Sequence, residues 1–121
     1  MLVLGIAVAG AIGAPARFLL DGWLTERTDP GLPFGTFAIN VTGSFLLGVL
    51  TGLALYHAFP STPKTILGTG FCGAYTTFST FCYETVRLAE QGARRAALTT
   101  LLAGLVVPAL AAALGLALAA L

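Results

Sequence analysis

The chain has 121 residues, 57% of them hydrophobic and only 9% charged, with a formal net charge of +1. A soluble domain carries about 25% charged residues, so an ordinary soluble protein is excluded, and no basic patch offers a footprint for nucleic acid. Residues 30–63, 65–83 and 96–121 contain no Asp, Glu, Lys or Arg. A helix needs about 20 apolar residues to cross a bilayer, and four such spans take roughly 80. The expectation is therefore an all-α membrane protein: a single domain over residues 1–121 with four transmembrane helices and short loops.

The first span is expected from about Leu2 to Trp23. Ala14-Pro15-Ala16 resembles a signal-peptidase site, but no Lys or Arg precedes the apolar run, so an uncleaved span is the better reading. Gly5, Ala9 and Gly13 recur every fourth residue and leave a smooth groove for another helix. Arg17 and Asp21 continue that stripe. A charge at mid-span costs about 2.5–3.5 kcal/mol, but Arg17 lies toward the end, where it can snorkel or pair with Asp21. Two roles stay open for Arg17: an interfacial anchor beside Trp23, or a source of positive potential at a pore mouth. A short polar loop over 24–32 carries the turn formers Pro30-Gly31.

The second span is expected from about Pro33 to Tyr56, with Ser44, Gly48 and Gly52 as a second small-residue stripe. Asn40 is its notable polar group. An amide in lipid must find partners, either as glue between helices or as a donor aimed at a passing anion. His57, the sole histidine, sits at the membrane edge and is read as interfacial.

The third span, about Thr65 to Leu88, holds the most unusual stretch. Gly70-Phe71-Cys72-Gly73-Ala74-Tyr75-Thr76-Thr77-Phe78-Ser79-Thr80-Phe81 combines two glycines, four hydroxyl residues and four aromatics. Hydroxyls compete for backbone hydrogen bonds and glycine loosens the chain. A break over residues 73–79 is expected, with freed carbonyls between Gly73 and Thr76. Irregular backbone survives in a membrane only when buried in protein or facing a wet cavity. Phe78 and Phe81 are three apart, Thr77 and Phe81 four apart, and Glu84 lies three past Phe81, which gathers them toward one face. Gly68 to Gly73 also matches G-x-G-x-x-G, but a dinucleotide site needs a strand before it. Cys72 and Cys82 lack metal-site spacing and read as apolar fillers. The fourth span, about Ala96 to Ala120, is Ala- and Leu-rich, with Thr99 and Thr100 as its polar residues and Pro108 as a potential kink.

No row of acids suggests a cation pore, and no ring of basic residues suggests a broad anion pore. The available groups are the Asn40 amide, the hydroxyls of Thr77, Ser79 and Thr80, and the positive edges of Phe78 and Phe81. With Arg17 and Glu84 at its ends, this set points to a narrow anion pathway. No nucleophile–base pair, metal cluster or paired carboxylate suggests an enzyme.

The third-span stretch resembles the signature of the CrcB, or Fluc, family of fluoride channels, typically GFCGGFTTFSTF; only Ala74 and Tyr75 differ. Gly10 to Phe18 and Pro33 to Gly48 fit the same family, in the same order. The resemblance implies a passive fluoride exporter in a prokaryotic plasma membrane. It implies an antiparallel dimer with two pathways, each using phenylalanines of both chains. It assigns Asn40 as the pore asparagine and places an arginine at Arg17. It also implies a central structural sodium ion, held by the carbonyls of Gly73 and Thr76 of each subunit. The chain departs where relatives often carry Tyr and Ser, at Thr100 and Gly104, so part of a polar lining is expected to be missing.

Loops one and three with their flanks hold Arg27, Arg87, Arg94 and Arg95, against Lys64 on the other side. The positive-inside rule places those loops in the cytoplasm. That imbalance raises a second form of assembly, a heterodimer with an inverted homologue, beside the homodimer. The competing function is a small four-helix multidrug-type proton antiporter. It requires a membrane-embedded acid in the first span, where only Asp21, near the end, is present.

Overall fold

The structure is a computed structural model describing residues 1–29 and 31–121. Pro30 of the expected turn lies outside the described residues. Among the described residues, three helices are long and apolar enough to cross a membrane: α1 (Leu2–Arg27), α2 (Phe34–Tyr56) and α6 (Arg94–Ala119). The fourth span is assembled from pieces. Helix α3 (Ser61–Thr65) runs into a π-helical stretch (Ile66–Cys72), then α4 (Gly73–Tyr75), a break at Thr76 and Thr77, and α5 (Phe78–Glu90).

The expected break is real but narrower than the sequence suggested. Gly73 to Tyr75 stay helical, and Phe78 and Ser79 already belong to α5. Only Thr76 (φ −79°, ψ 159°) and Thr77 (φ −148°, ψ 118°) are extended. The irregularity not foreseen is the π-helical stretch upstream. There each N–H reaches back one residue further than in an α-helix, which widens the turn.

The small-residue stripes explain the packing. On α1, Gly5 meets Ile66, Gly13 meets the Phe71 backbone, and Ala9 faces Gly70. Residue numbers rise together on both sides, so α1 and the third span run parallel. On α2, Gly48 lies against the Ala112 backbone and Gly52 against Leu116 and Ala119, while Gly115 of α6 meets Phe45 and Val49. These two helices are also parallel. A Cβ at Gly13, Gly48 or Gly115 would strike main chain, so small residues here set how closely the helices approach. His57 Nε2 lies 2.8 Å from the Ala119 carbonyl and ties the ends of α2 and α6 together.

The outer surface is apolar: Val3, Phe18, Leu19, Leu55, Leu98 and Leu110 are all exposed, as lipid contact requires. At one end Trp23 packs under the Arg27 guanidinium, 4.4 Å from its ring centroid, an interfacial pair. Pro108 sits inside α6 without ending it. At Gly92 φ is +78°, a conformation that suits glycine and reverses the chain between α5 and α6.

Candidate ion pathway at the helix break

Competition for hydrogen bonds makes the break. In an unbroken helix the Thr77 N–H would return to the Gly73 carbonyl. Here it donates to Asn40 Oδ1 at 2.9 Å, and Asn40 Nδ2 donates to the Thr77 carbonyl at 2.9 Å. One amide on α2 thus replaces both backbone partners that Thr77 loses. Of the two roles open for Asn40, the structure shows this interhelical one directly, and one amide hydrogen remains for another acceptor.

Neighbouring residues of α2 shape the same point. A Cβ at Gly43 would overlap the Thr76 methyl and crowd the Tyr75 ring. Thr42 Oγ1 donates to the Ala38 carbonyl at 2.7 Å, so at 2.9 Å the Tyr75 hydroxyl is the donor to Thr42. Tyr75 is buried and stacks on Phe71 with centroids 5.4 Å apart.

Arg17 does not pair with Asp21. Its guanidinium, half-buried, donates to the Thr76 carbonyl at 3.4 Å. The Asp21 carboxylate is instead pressed against Gly35 at the start of α2, where the free N–H groups of a helix N-terminus favour a negative charge.

Beyond the break, Thr77 caps α5. Its Oγ1 accepts the Thr80 N–H at 3.3 Å and lies 3.1 Å from Thr80 Oγ1 and 3.3 Å from Ser79 Oγ. The three hydroxyls form one linked group. The N-terminus of α5 and the Arg17 guanidinium therefore meet inside the apolar domain. Both contribute positive potential, which suits an anion and opposes a cation.

A cavity of about 120 Å³ opens on the side of Asn40 and Phe81, and Arg17, Thr77, Ser79 and Thr80 do not line it. Asn40, Phe81, Glu84, Thr36, Thr100 and Gly104 are among the residues that line it. Thr36, 3% exposed, donates to Glu84 Oε1 at 3.1 Å. Glu84 Oε2 is buried, with no hydrogen-bond partner among the described residues. Sequence reading did not single out Thr36, although it lies one turn before Asn40 and so shares its face.

The two phenylalanines separate. Phe81 is 5% exposed and faces the cavity, whereas Phe78 is 70% exposed on the outer surface. Their ring centroids lie 5.7 Å apart at 48°. A second cleft, also about 120 Å³, has Gly73, Thr76, Gly43, Ser44 and Cys72 among its lining residues. Gly73 and Thr76 thus share one cleft, whereas Asn40, Phe81 and Glu84 share the other.

Together these features define a multi-pass membrane protein with a seam of amide, hydroxyl and aromatic groups at one interrupted helix. The model of the family described as CrcB-like protein, Camphor Resistance (CrcB), matches residues 4–116. The chain belongs to that family. It is 58% identical over 100 residues to the Fluoride-specific ion channel FluC 1 of Leifsonia xyli subsp. xyli, covering 83% of this chain and 73% of the relative. It is 47% identical to FluC 2 of Cutibacterium acnes, covering 98% and 97%. To FluC of Syntrophotalea carbinolica it is 45% identical, covering 94% of each chain.

Proposed function

We propose that this protein is a fluoride-selective channel that lets fluoride leave the cell passively across a prokaryotic plasma membrane. The observation that carries the reading is the break held by Asn40 beside the cavity of Phe81, in a chain whose relatives are named fluoride-specific ion channels. Fluoride is small and a strong hydrogen-bond acceptor. The remaining Asn40 hydrogen, the hydroxyls of Thr77, Ser79 and Thr80, and the Phe81 ring edge replace part of its water. Each contact is weak enough to release the ion again. Arg17 and the α5 N-terminus hold the potential positive along the way.

The working unit in this reading is an antiparallel dimer. Phe78 then turns from an outward ring into one presented to the partner, and each pathway draws on both chains. A sodium ion fits the cleft of Gly73 and Thr76 in donor type. Thr77 has left the Gly73 carbonyl for Asn40, and hard cations favour oxygen ligands. Carbonyls of both residues from each subunit would hold it and join the dimer. The positive charge of Arg17 near Thr76 makes the Gly73 carbonyl the stronger ligand of the two. A proton antiporter is disfavoured, because Asp21 lies near the end of α1 and against α2.

Liposomes containing the protein should release fluoride but not chloride, as followed with ion-selective electrodes; equal rates would exclude the reading. Gly73→Val should weaken the dimer and its dependence on sodium, and unchanged sodium dependence would count against the carbonyl site.

A further inference from the structure

Gly104 is the point on α6 where Phe81 rests. A Cβ built there would overlap Phe81 Cε2 and lie 2.8 Å from Cδ2 and 3.0 Å from Cζ. Carbon–carbon contacts are comfortable at about 3.5–4.0 Å. The ring therefore occupies the volume that any side chain at 104 would need. Pro108, four residues on and buried, has no N–H to return to the Gly104 carbonyl. Helix α6 is bare of side chain, and short of one hydrogen bond, at the residue the ring covers. The ring also meets Phe78, at a centroid distance of 5.7 Å. The cavity with Asn40 and Thr100 lies alongside.

We propose that Gly104 is a positioning residue that sets where the Phe81 ring stands, and thereby the width and halide selectivity of the pathway in this chain. The inference rests on the channel reading and goes beyond it. Gly104 offers nothing to an ion; it gives the ring a seat. Any side chain there drives the ring off α6 toward the cavity or toward Phe78. With the ring seated as it is in this chain, the serine that relatives often carry here would be no remedy, because the obstruction is its Cβ.

The test compares fluoride and chloride efflux from liposomes for wild type, Gly104→Ala and Gly104→Ser. Both variants should lose fluoride flux by about tenfold or change the fluoride-to-chloride ratio by a similar factor. A general loss of packing would lower the amount of active protein but not that ratio. Wild-type rates and ratio in Gly104→Ala would overturn the inference, as would a Gly104→Ser variant that matches wild type while Gly104→Ala fails. If the single variants unfold, thermal melting decides. Phe81→Leu removes the ring, so it should restore stability to Gly104→Ala, and purely additive losses would overturn the contact. A wild-type protein that passes no fluoride would overturn the channel reading instead, with the melting cycle still judging the contact.

Discussion

The third and fourth spans invite comparison. Helix α6 contains a proline and runs unbroken for 26 residues. The third span contains Pro63 only in its first short helix, yet it breaks at Thr76 and Thr77. Proline removes one hydrogen bond, and at Pro108, which is itself buried, α6 absorbs that loss without breaking. The break arises because a neighbour offers something better: Asn40 supplies a donor and an acceptor to the same residue. An interrupted membrane helix is thus written partly in another helix.

If that contrast is right, Asn40→Ala has the largest effect. It strands the Thr77 N–H and carbonyl, at about 1–3 kcal/mol each. Thermal unfolding in detergent should show the loss, with fluoride flux reduced to background. Asn40→Asp sharpens the point: it still accepts from the Thr77 N–H but cannot donate to the carbonyl, and it sets a negative charge beside an anion path. It should melt between wild type and Asn40→Ala yet conduct no better than the latter.

Gly43→Ala comes next, because its methyl would displace Thr76 and Tyr75. A cost of about 1–3 kcal/mol is expected, measured against Gly22→Ala, where nothing lies within 4 Å of the added methyl. Tyr75→Phe removes the hydroxyl bond to Thr42 and should cost about 1 kcal/mol, with the break and the flux retained. Pro108→Ala should be smallest, since α6 is already continuous; a change in halide selectivity there would blur the distinction between the two spans.

Four spans and a weak point in the third were legible because uncharged runs and glycine–hydroxyl clusters are local signals. The limits of the weak point were not. A hydroxyl alone does not locate a break: Thr76, at the break, donates to the Cys72 carbonyl at 2.9 Å, one turn back, and Thr85, Thr51 and Thr42 do the same inside continuous helices. Gly73 stays helical because its N–H is bonded and its neighbours are packed. The π-helical stretch left no trace, since periodicity cannot be read where nearly every residue is apolar. Spacing along one helix offers Arg17 either the interface or Asp21, but it cannot show the Thr76 carbonyl at the break in another span, to which the guanidinium donates. Thr36 was passed over because its partner, Glu84, lies 48 residues away.

The most direct test is fluoride efflux from liposomes carrying Phe81→Ile. The account predicts that efflux falls to that of empty vesicles while the protein elutes from size exclusion as wild type does. Wild-type efflux from that variant would contradict a pathway running past the buried ring.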